Sequence, residues 1–285
     1  MGFKSIKDIV DADLEGRTRE FSFRKTPSQT TVSGCWFDLS MSPGNPVPNY
    51  YAASPLISVA LRQSTDGGFF HGANAAPLSK YLITSLIVPQ SATGLPMPLI
   101  MLDYLLYYPF IDEGTTDEQI VTNSVSLPRY TNGEGVKIMA VSVAARTSGQ
   151  TFTVKYTNSN GVSGRVTTAV FQNSAGANGS IISSHANSVS SNIPFLPLQG
   201  LDTGVRYIES VTMAGADVGL FTLVLVKPIM QTCVNEQTAC VEVNFAKDKS
   251  GMPKIEDDAY LNFICTPQGN ISGTTLIGTL KYTWG

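Results

Sequence analysis

Leu127-Pro128-Arg129-Tyr130-Thr131-Asn132-Gly133-Glu134-Gly135-Val136-Lys137 is answered later in the chain by Leu196-Pro197-Leu198-Gln199-Gly200-Leu201-Asp202-Thr203-Gly204-Val205-Arg206. In both stretches six residues separate Leu-Pro from Gly-Val and a basic residue, and the second begins about 69 residues after the first, at 196 against 127. The echo continues at the same offset, where Phe152-Thr153-Val154 is matched by Phe221-Thr222-Leu223. Each copy reads as a Pro-containing connection, a Gly turn, a strand, a second turn and a return strand. The pattern predicts a β-hairpin laid down twice. Two copies are too few for a solenoid, and a β scaffold repeats its pieces more readily than a catalytic loop does.

Working outward, short apolar runs with turn residues between them predict about eleven strands and almost no helix. They fall near Leu56–Leu61, Tyr81–Val88, Leu99–Tyr107, Lys137–Ala145, Thr151–Tyr156, Ser163–Phe171, Arg206–Met213, Leu220–Lys227, Ala239–Phe245, Ala259–Cys265 and Thr275–Thr283. Asn160-Gly161, between two of these runs, is the sharpest hairpin signal. Gly176 to Asn192, rich in Ser, Asn, Ala and Gly, reads as a surface loop. Ser42 to Pro55 contains four prolines, which lack the N–H a central strand needs, and so reads as an ordered loop carrying Tyr50 and Tyr51. At the start, Ser5 with Asp8 three residues on is a capping signal for a short helix, and Glu15 to Lys25 is dense in charge.

These boundaries suggest an arm over residues 1–25, a sandwich domain over 26–228 and a β-rich C-terminal extension over 229–285. The expected fold class is all-β, an antiparallel sandwich of jelly-roll type, on strand count and fold-level analogy. The arm is expected to lie on a neighbour, so that deleting Met1 to Lys25 leaves a folded sandwich.

Only 14% of residues are charged, against roughly a quarter in ordinary soluble domains, while 42% are hydrophobic. Such a chain solvates itself with Ser, Thr, Asn and Gln or hides surface against neighbours. A net charge of -3 argues against nucleic acid as partner, since that role calls for a concentrated basic face. The cluster Arg17, Arg19, Arg24 and Lys25 is interleaved with Glu15 and Glu20. The most apolar stretch, Tyr81 to Phe110, is broken by Pro89, Pro96 and Pro98 and holds Asp103, which argues against a membrane span. It reads as two buried strands joined by a Pro-rich turn. Lys4, Lys7 and Asp8 interrupt any signal-peptide core, and Ile6 stands where a myristoylation motif wants Ser or Thr.

Motifs for catalysis and cofactors are missing: no nucleophile elbow, phosphate loop, zinc-protease helix or dinucleotide fingerprint occurs. Cys35, Cys233, Cys240 and Cys265 are dispersed and read as reduced thiols, a Cys233–Cys240 bridge being the alternative in an oxidising compartment. His71 and His185 are isolated and read as structural. Asp112, Glu113, Asp117 and Glu118, and Glu256, Asp257 and Asp258, read as solvated loops; the first set could serve calcium but lacks the spacing of a calcium loop. No catalytic, cofactor or metal residue is assigned. Trp36 and Trp284, in strand-like contexts, are expected to pack in the core.

A resemblance adds to this reading. Gly94-Leu95-Pro96-Met97-Pro98, Leu102-Asp103-Tyr104, Tyr107-Tyr108-Pro109-Phe110-Ile111, Leu127-Pro128-Arg129-Tyr130 with Gly135-Val136, Thr203-Gly204-Val205-Arg206 with Ile208-Glu209-Ser210-Val211, and Gly219 to Pro228 together resemble tailed-bacteriophage virion structural proteins. The resemblance covers roughly Phe23 to Pro228, and Met230 to Gly285 matches less well. It implies a non-enzymatic structural subunit on the capsid surface of a virion, made in the host cytoplasm. The role implied is a decoration (cement) protein that binds the assembled shell across capsomer boundaries. Its partners would be the major capsid protein and further copies of itself, as a trimer. The alternative is a receptor- or carbohydrate-binding spike, fibre, or neck or tail component. Phe3, Ile6, Arg17, Arg19, Phe21, Phe23, Tyr50 and Tyr51 are the expected contact residues, because aromatic residues and Arg are enriched at interface centres.

Overall fold

A run of sixteen residues, Met97–Asp112, forms the central strand, and nearly every one is buried. A strand covered on both faces reads as a continuous apolar run rather than an alternation, and this one does. The computed structural model describes residues 2–147, 149–172, 175–183, 193–248 and 251–285. In chain order we label the helix Ile6–Leu14 α1. The principal strands are Thr18–Lys25 (β1), Lys80–Pro89 (β2), Met97–Asp112 (β3), Lys137–Ser142 (β4) and Thr151–Asn158 (β5). Val205–Met213 (β6), Leu220–Val234 (β7), Val241–Asn244 (β8), Tyr260–Cys265 (β9) and Leu276–Trp284 (β10) follow.

The principal strands pair antiparallel in three sheets. A spine sheet runs β9-β3-β7-β4, a terminal sheet runs β8-β2-β10-β1, and a third pairs β5 with β6 between shorter segments. The expected all-β sandwich is therefore what the chain forms, with three sheets where a jelly roll has two. One face of β3 serves two cores in succession. Leu99 and Met101 pack with Leu82, Ile87, Leu276 and Leu280 of the terminal sheet. Past a bulge at Leu105, Leu106 and Tyr108 pack with Phe152, Val154, Ile208 and Val211 of the third sheet. The opposite face, through Ile100, Leu102, Tyr104 and Tyr107, is covered by Trp36, Met41, Tyr51 and Ile181 from connecting segments.

Asp103 lies along β3 between the two cores and is fully buried. It accepts from Arg129 Nε at 2.9 Å and Nη2 at 2.7 Å, and the same guanidinium donates to the carbonyls of Leu61, Tyr104 and Asp258, each at 3.0 Å. Burial lifts the Asp103 carboxyl to about 6 against the pull of Arg129. The first basic residue of the repeated motif region thus bolts both halves of the fold to the central strand.

The repeat is real but is not a pair of hairpins. β4 and β5 of the first copy lie in different sheets, as do β6 and β7 of the second. The copies exchange partners: β4 pairs with β7 from Lys137–Val226 to Ser142–Phe221, and β5 pairs with β6. Each copy is an arch across one core rather than a hairpin in one sheet, and the equivalents meet inside. Leu127 and Leu196, Val136 and Val205, and Val154 and Leu223 share that core. The equivalent rings of Phe152 and Phe221 stand 5.1 Å apart. The two Gly turns also touch: Gly135 N–H donates to Thr203 O at 3.1 Å, and a Cβ on Gly204 would fall 2.0 Å from Gly133 O. Only glycine fits there.

The pairing crosses both boundaries expected at residues 25 and 228. Thr18–Lys25, expected in an arm, is a sheet strand, paired along its length with β10 from Thr18–Thr283 to Lys25–Leu276. β10 itself lies between β1 and β2, so residues 229–285 close a sheet opened by the first part of the chain. Deletion through Lys25 would remove a wall of the core, not an appendage. β7 runs on past its expected end at Lys227 because its pairing with β3 continues to Val234–Met97, although β4 pairs with it only as far as Val226. Beyond that it is an edge, where Pro228 leaves no donor missing. The Leu56–Leu61 strand shrinks to Val59–Ala60, whereas the Asn160-Gly161 hairpin forms, pairing Arg165–Val166 with Tyr156 and Lys155. Part of the Gly176–Asn192 loop, including His185, lies outside the described residues.

Candidate functional site

Local chemistry specifies α1 before any packing does. The Ser5 hydroxyl accepts from Asp8 N–H, and the Asp8 carboxylate accepts from the N–H groups of Ser5 and Lys4, a reciprocal cap. Those bonds hold the Asp8 carboxyl below its usual range, the backbone bond from Lys4 contributing most. At the other end Gly16, at φ +73°, turns the chain back, and Arg17 N–H donates to Ala12 O at 2.7 Å. The helix is tied down through polar groups. Asp13 accepts from Thr18 Oγ1 at 2.9 Å and stands 3.0 Å from Lys281 Nζ. Arg17 and Trp284 exchange bonds between guanidinium, N–H and carbonyls.

The apolar side of the helix faces outward. Ile6, Val10 and Leu14 recur at every fourth residue, on one side, and are 71%, 51% and 81% exposed, while Ala12 is buried. A surface helix ordinarily presents that stripe to its own core. Two grooves extend it. One of about 210 Å³ is lined by Phe3, Ile6, Ile9, Phe245 and Met252; another of about 260 Å³ is lined by Ile9, Val10, Leu14 and Ile83. Charges around the stripe are matched, Lys7 with Asp11, Glu15 with Arg17 and Asp13 with Lys281. The surface is apolar and nearly neutral.

The eight residues expected to make contacts do not form one patch. Phe3 is fixed by a ring contact with Tyr81 at 5.6 Å, and Ile6 belongs to the exposed stripe. Arg17 is held by Glu15 and Trp284, and the Arg19 guanidinium lies 5.0 Å from the centre of the Phe70 ring. Phe21 is half-buried, and Phe23 is buried beside Phe69 and Phe263. Tyr50 is exposed, whereas Tyr51 is buried, its hydroxyl donating to Asp38. Phe23 and Tyr51 are therefore core residues, a correction that follows from strand alternation in the first case and a buried carboxylate in the second. Ile9, Val10 and Leu14 were missed, although their spacing of three, four and eight residues from Ile6 is visible in the sequence.

The other charged groups are built into the fold. Asp38, fully buried, accepts from Tyr51, from Tyr104 at 2.7 Å and from Ser40 N–H at 2.8 Å, and burial raises its carboxyl. Lys25 donates to Ser42 O and Pro46 O, and burial lowers it to about 8. Glu113 pairs with buried Arg146 at 3.0 Å, and Asp112 accepts from Gly114 N–H. Asp257 and Asp258 accept from Ala75 and Ser64 N–H. Among the described residues no group of three or more His, Cys, Asp or Glu could hold a metal ion. Cys233, Cys240 and Cys265 are free thiols, Cys265 buried, and Cys35 is buried as well. No helix among the described residues is long and apolar enough to cross a membrane. Trp36 packs in the core as expected, but Trp284 is half-buried and lines a surface cavity.

No family model and no curated protein matches the chain. Among solved structures, the 2.6 Å structure of T=1 particles derived from infectious bursal virus aligns over 93% of this chain and 77% of its own, at 9% identity and a TM-score of 0.18. The VP2 subviral particle of infectious bursal disease virus aligns over 93% and 80%, at 8% identity and a TM-score of 0.16. Likenesses at these scores carry no argument, and the functional reading rests on the chain's own residues.

Proposed function

We propose that this chain is a non-enzymatic structural subunit of a virus particle that docks through α1 onto the assembled shell, in the manner of a decoration protein. The outward apolar stripe of Ile6, Val10 and Leu14 carries the reading. Burying one such side chain contributes about 1.5–3 kcal/mol, so three of them and the flanking grooves suit a partner that arrives after folding. Sparse charge over the whole chain and the resemblance to tailed-phage virion proteins point the same way. A protein that binds the assembled lattice but not free subunits stabilises the lattice by linkage. Three-fold sites recur in shell lattices, and the trimer is the oligomer we assign on that ground.

The test is co-sedimentation with capsids stripped of the protein, alongside free shell subunits. Wild type is expected to pellet with capsids alone and to raise their melting temperature. Val10→Asp with Leu14→Asp is expected to weaken binding by at least about 100-fold, the loss of two buried apolar anchors. Undiminished binding by the double variant would remove α1 from the interface. Absence of binding by folded wild type would turn the assignment toward a neck, tail or host-recognition component.

A further inference from the structure

The loop of residues 71–76 is held by side chains from three other segments. Gln63 accepts from His71 N–H at 2.7 Å and donates to Gly72 O at 3.1 Å. Lys80, fully buried, donates to Ala73 O at 2.8 Å and to His71 Nδ1 at 2.9 Å; His71 Nε2–H in turn donates to Ala259 O at 2.9 Å. Asp257 accepts from Ala75 N–H at 2.9 Å and Ala76 N–H at 3.3 Å, and stands 3.7 Å from Lys80 Nζ. Core packing does not call for a buried ammonium, which is costly to desolvate; a Met would fill the same space. What the ammonium does is set the shape of an exposed loop.

That loop frames a cavity of about 210 Å³ walled by Arg19, Gly72, Ala73, Asn74, Ala75 and Trp284. Arg19 is exposed and rests its guanidinium on the Phe70 ring. Arg19 is the charged residue of the cavity wall, Asp257 meets the charge of Lys80 behind it, and burial keeps His71 neutral, lowering it to about 4. The cavity is thus electropositive, with an indole on one wall and an exposed amide, Asn74, on another. Its volume is below the range of drug-sized pockets and suits one small ring.

We infer that this cavity binds the ring of a carboxylate-bearing sugar, with Arg19 on the carboxylate, Trp284 against the C–H face of the ring and Asn74 on a hydroxyl. Arg is matched to a carboxylate by its planar fork of donors. A bare phosphate would use the guanidinium and the amide but not the face of the indole, and a neutral sugar would leave the charge of the guanidinium unused. The site lies apart from the α1 stripe, so it stands or falls independently of shell docking.

The experiment is a titration of the full chain followed by the indole N–H resonances of its two tryptophans. Glucuronate, N-acetylneuraminate, glucose and inorganic phosphate are added separately. At least one acidic sugar is expected to shift the Trp284 signal saturably in the millimolar range and leave Trp36 in place, with glucose and phosphate at least about tenfold weaker. Arg19→Gln, at an exposed position, is expected to weaken the acidic sugar at least tenfold, while Arg24→Gln on the same strand leaves it unchanged. The inference is overturned if neither acidic sugar gives a saturable shift, if phosphate or glucose binds as well, or if Arg19→Gln titrates like wild type.

Discussion

Acid should weaken this fold through His71 before the ordinary carboxylates titrate. The ring is buried, donates from Nε2 to Ala259 O, accepts from Lys80 at Nδ1, and meets the Tyr282 ring at 5.9 Å between centroids. Desolvation first, and then the charge of Lys80, lower its pKa from 6.5 to about 4; Asp257 opposes the shift and Arg129 adds to it. The native state therefore holds this proton less tightly than the unfolded chain. The contribution is full above pH 6.5 and is lost as the pH falls toward 4, about 3 kcal/mol in all at roughly 1.4 kcal/mol per pH unit. Asp38, Asp103 and Glu113, whose carboxyls burial raises, act in the opposite direction over part of the same window. Total stability is thus the wrong readout, and the difference between wild type and His71→Gln is the right one. Denaturant unfolding at pH 7, 5.5 and 4 should show wild type losing about 3 kcal/mol more than the variant. A proton spectrum gives an independent check, because the chain has only two histidines. Parallel pH profiles for the two proteins, or a His71 ring titrating near 6.5, would refute the reasoning.

Two further outcomes test the architecture. Phe152→Ala and Phe221→Ala, each removing a fully buried ring, should each cost about 3–5 kcal/mol in denaturant unfolding. Because the rings touch, the double variant should depart from additivity by about 0.5–1.5 kcal/mol; strict additivity would mean that the two copies do not meet as described. Deleting residues 2–16 should leave the circular dichroism and cooperative unfolding of the sheets intact, while deletion through Lys25 should abolish soluble, cooperatively folded protein, since β1 is lost from the terminal sheet.

Sequence reading reached the class of the fold, the position of most strands and the repeat, because these follow from local patterns: apolar runs, Gly and Pro punctuation, a fixed offset. It failed where pairing is set at long range. Arg19, Glu20, Arg24 and Lys25 look like a solvated arm by charge, yet the alternation of Phe21, Phe23 and Lys25 puts one face inward, and Lys25 is satisfied there by two carbonyls. Arch and hairpin share one linear signature, strand-turn-strand, and differ only in which strands pair. That choice is made by Phe152 and Phe221 meeting across the core, at a sequence separation no window inspects. Trp284 was expected inside by the same local logic; it lies beside the loop fixed by Lys80 and lines a surface cavity instead.

The inversion of α1 follows from how the helix is attached. An amphipathic helix left to hydrophobicity alone would turn Ile6, Val10 and Leu14 toward the terminal sheet. Here buried Ala12 lets the side opposite the stripe approach closely, while Asp13, held by Thr18 and Lys281, and Arg17, held at the Trp284 backbone, fix the end of the helix. Polar anchors worth a few tenths to about 1 kcal/mol each would not outweigh three apolar side chains if burying those side chains were open to them. Next to β10 Lys281 meets Asp13, and Ile83 lines a groove beside Val10 and Leu14 without covering them. On the proposed docking through this stripe, variants at Val10 and Leu14 should weaken binding to the shell while leaving the melting temperature of the free protein almost unmoved, because both side chains are exposed.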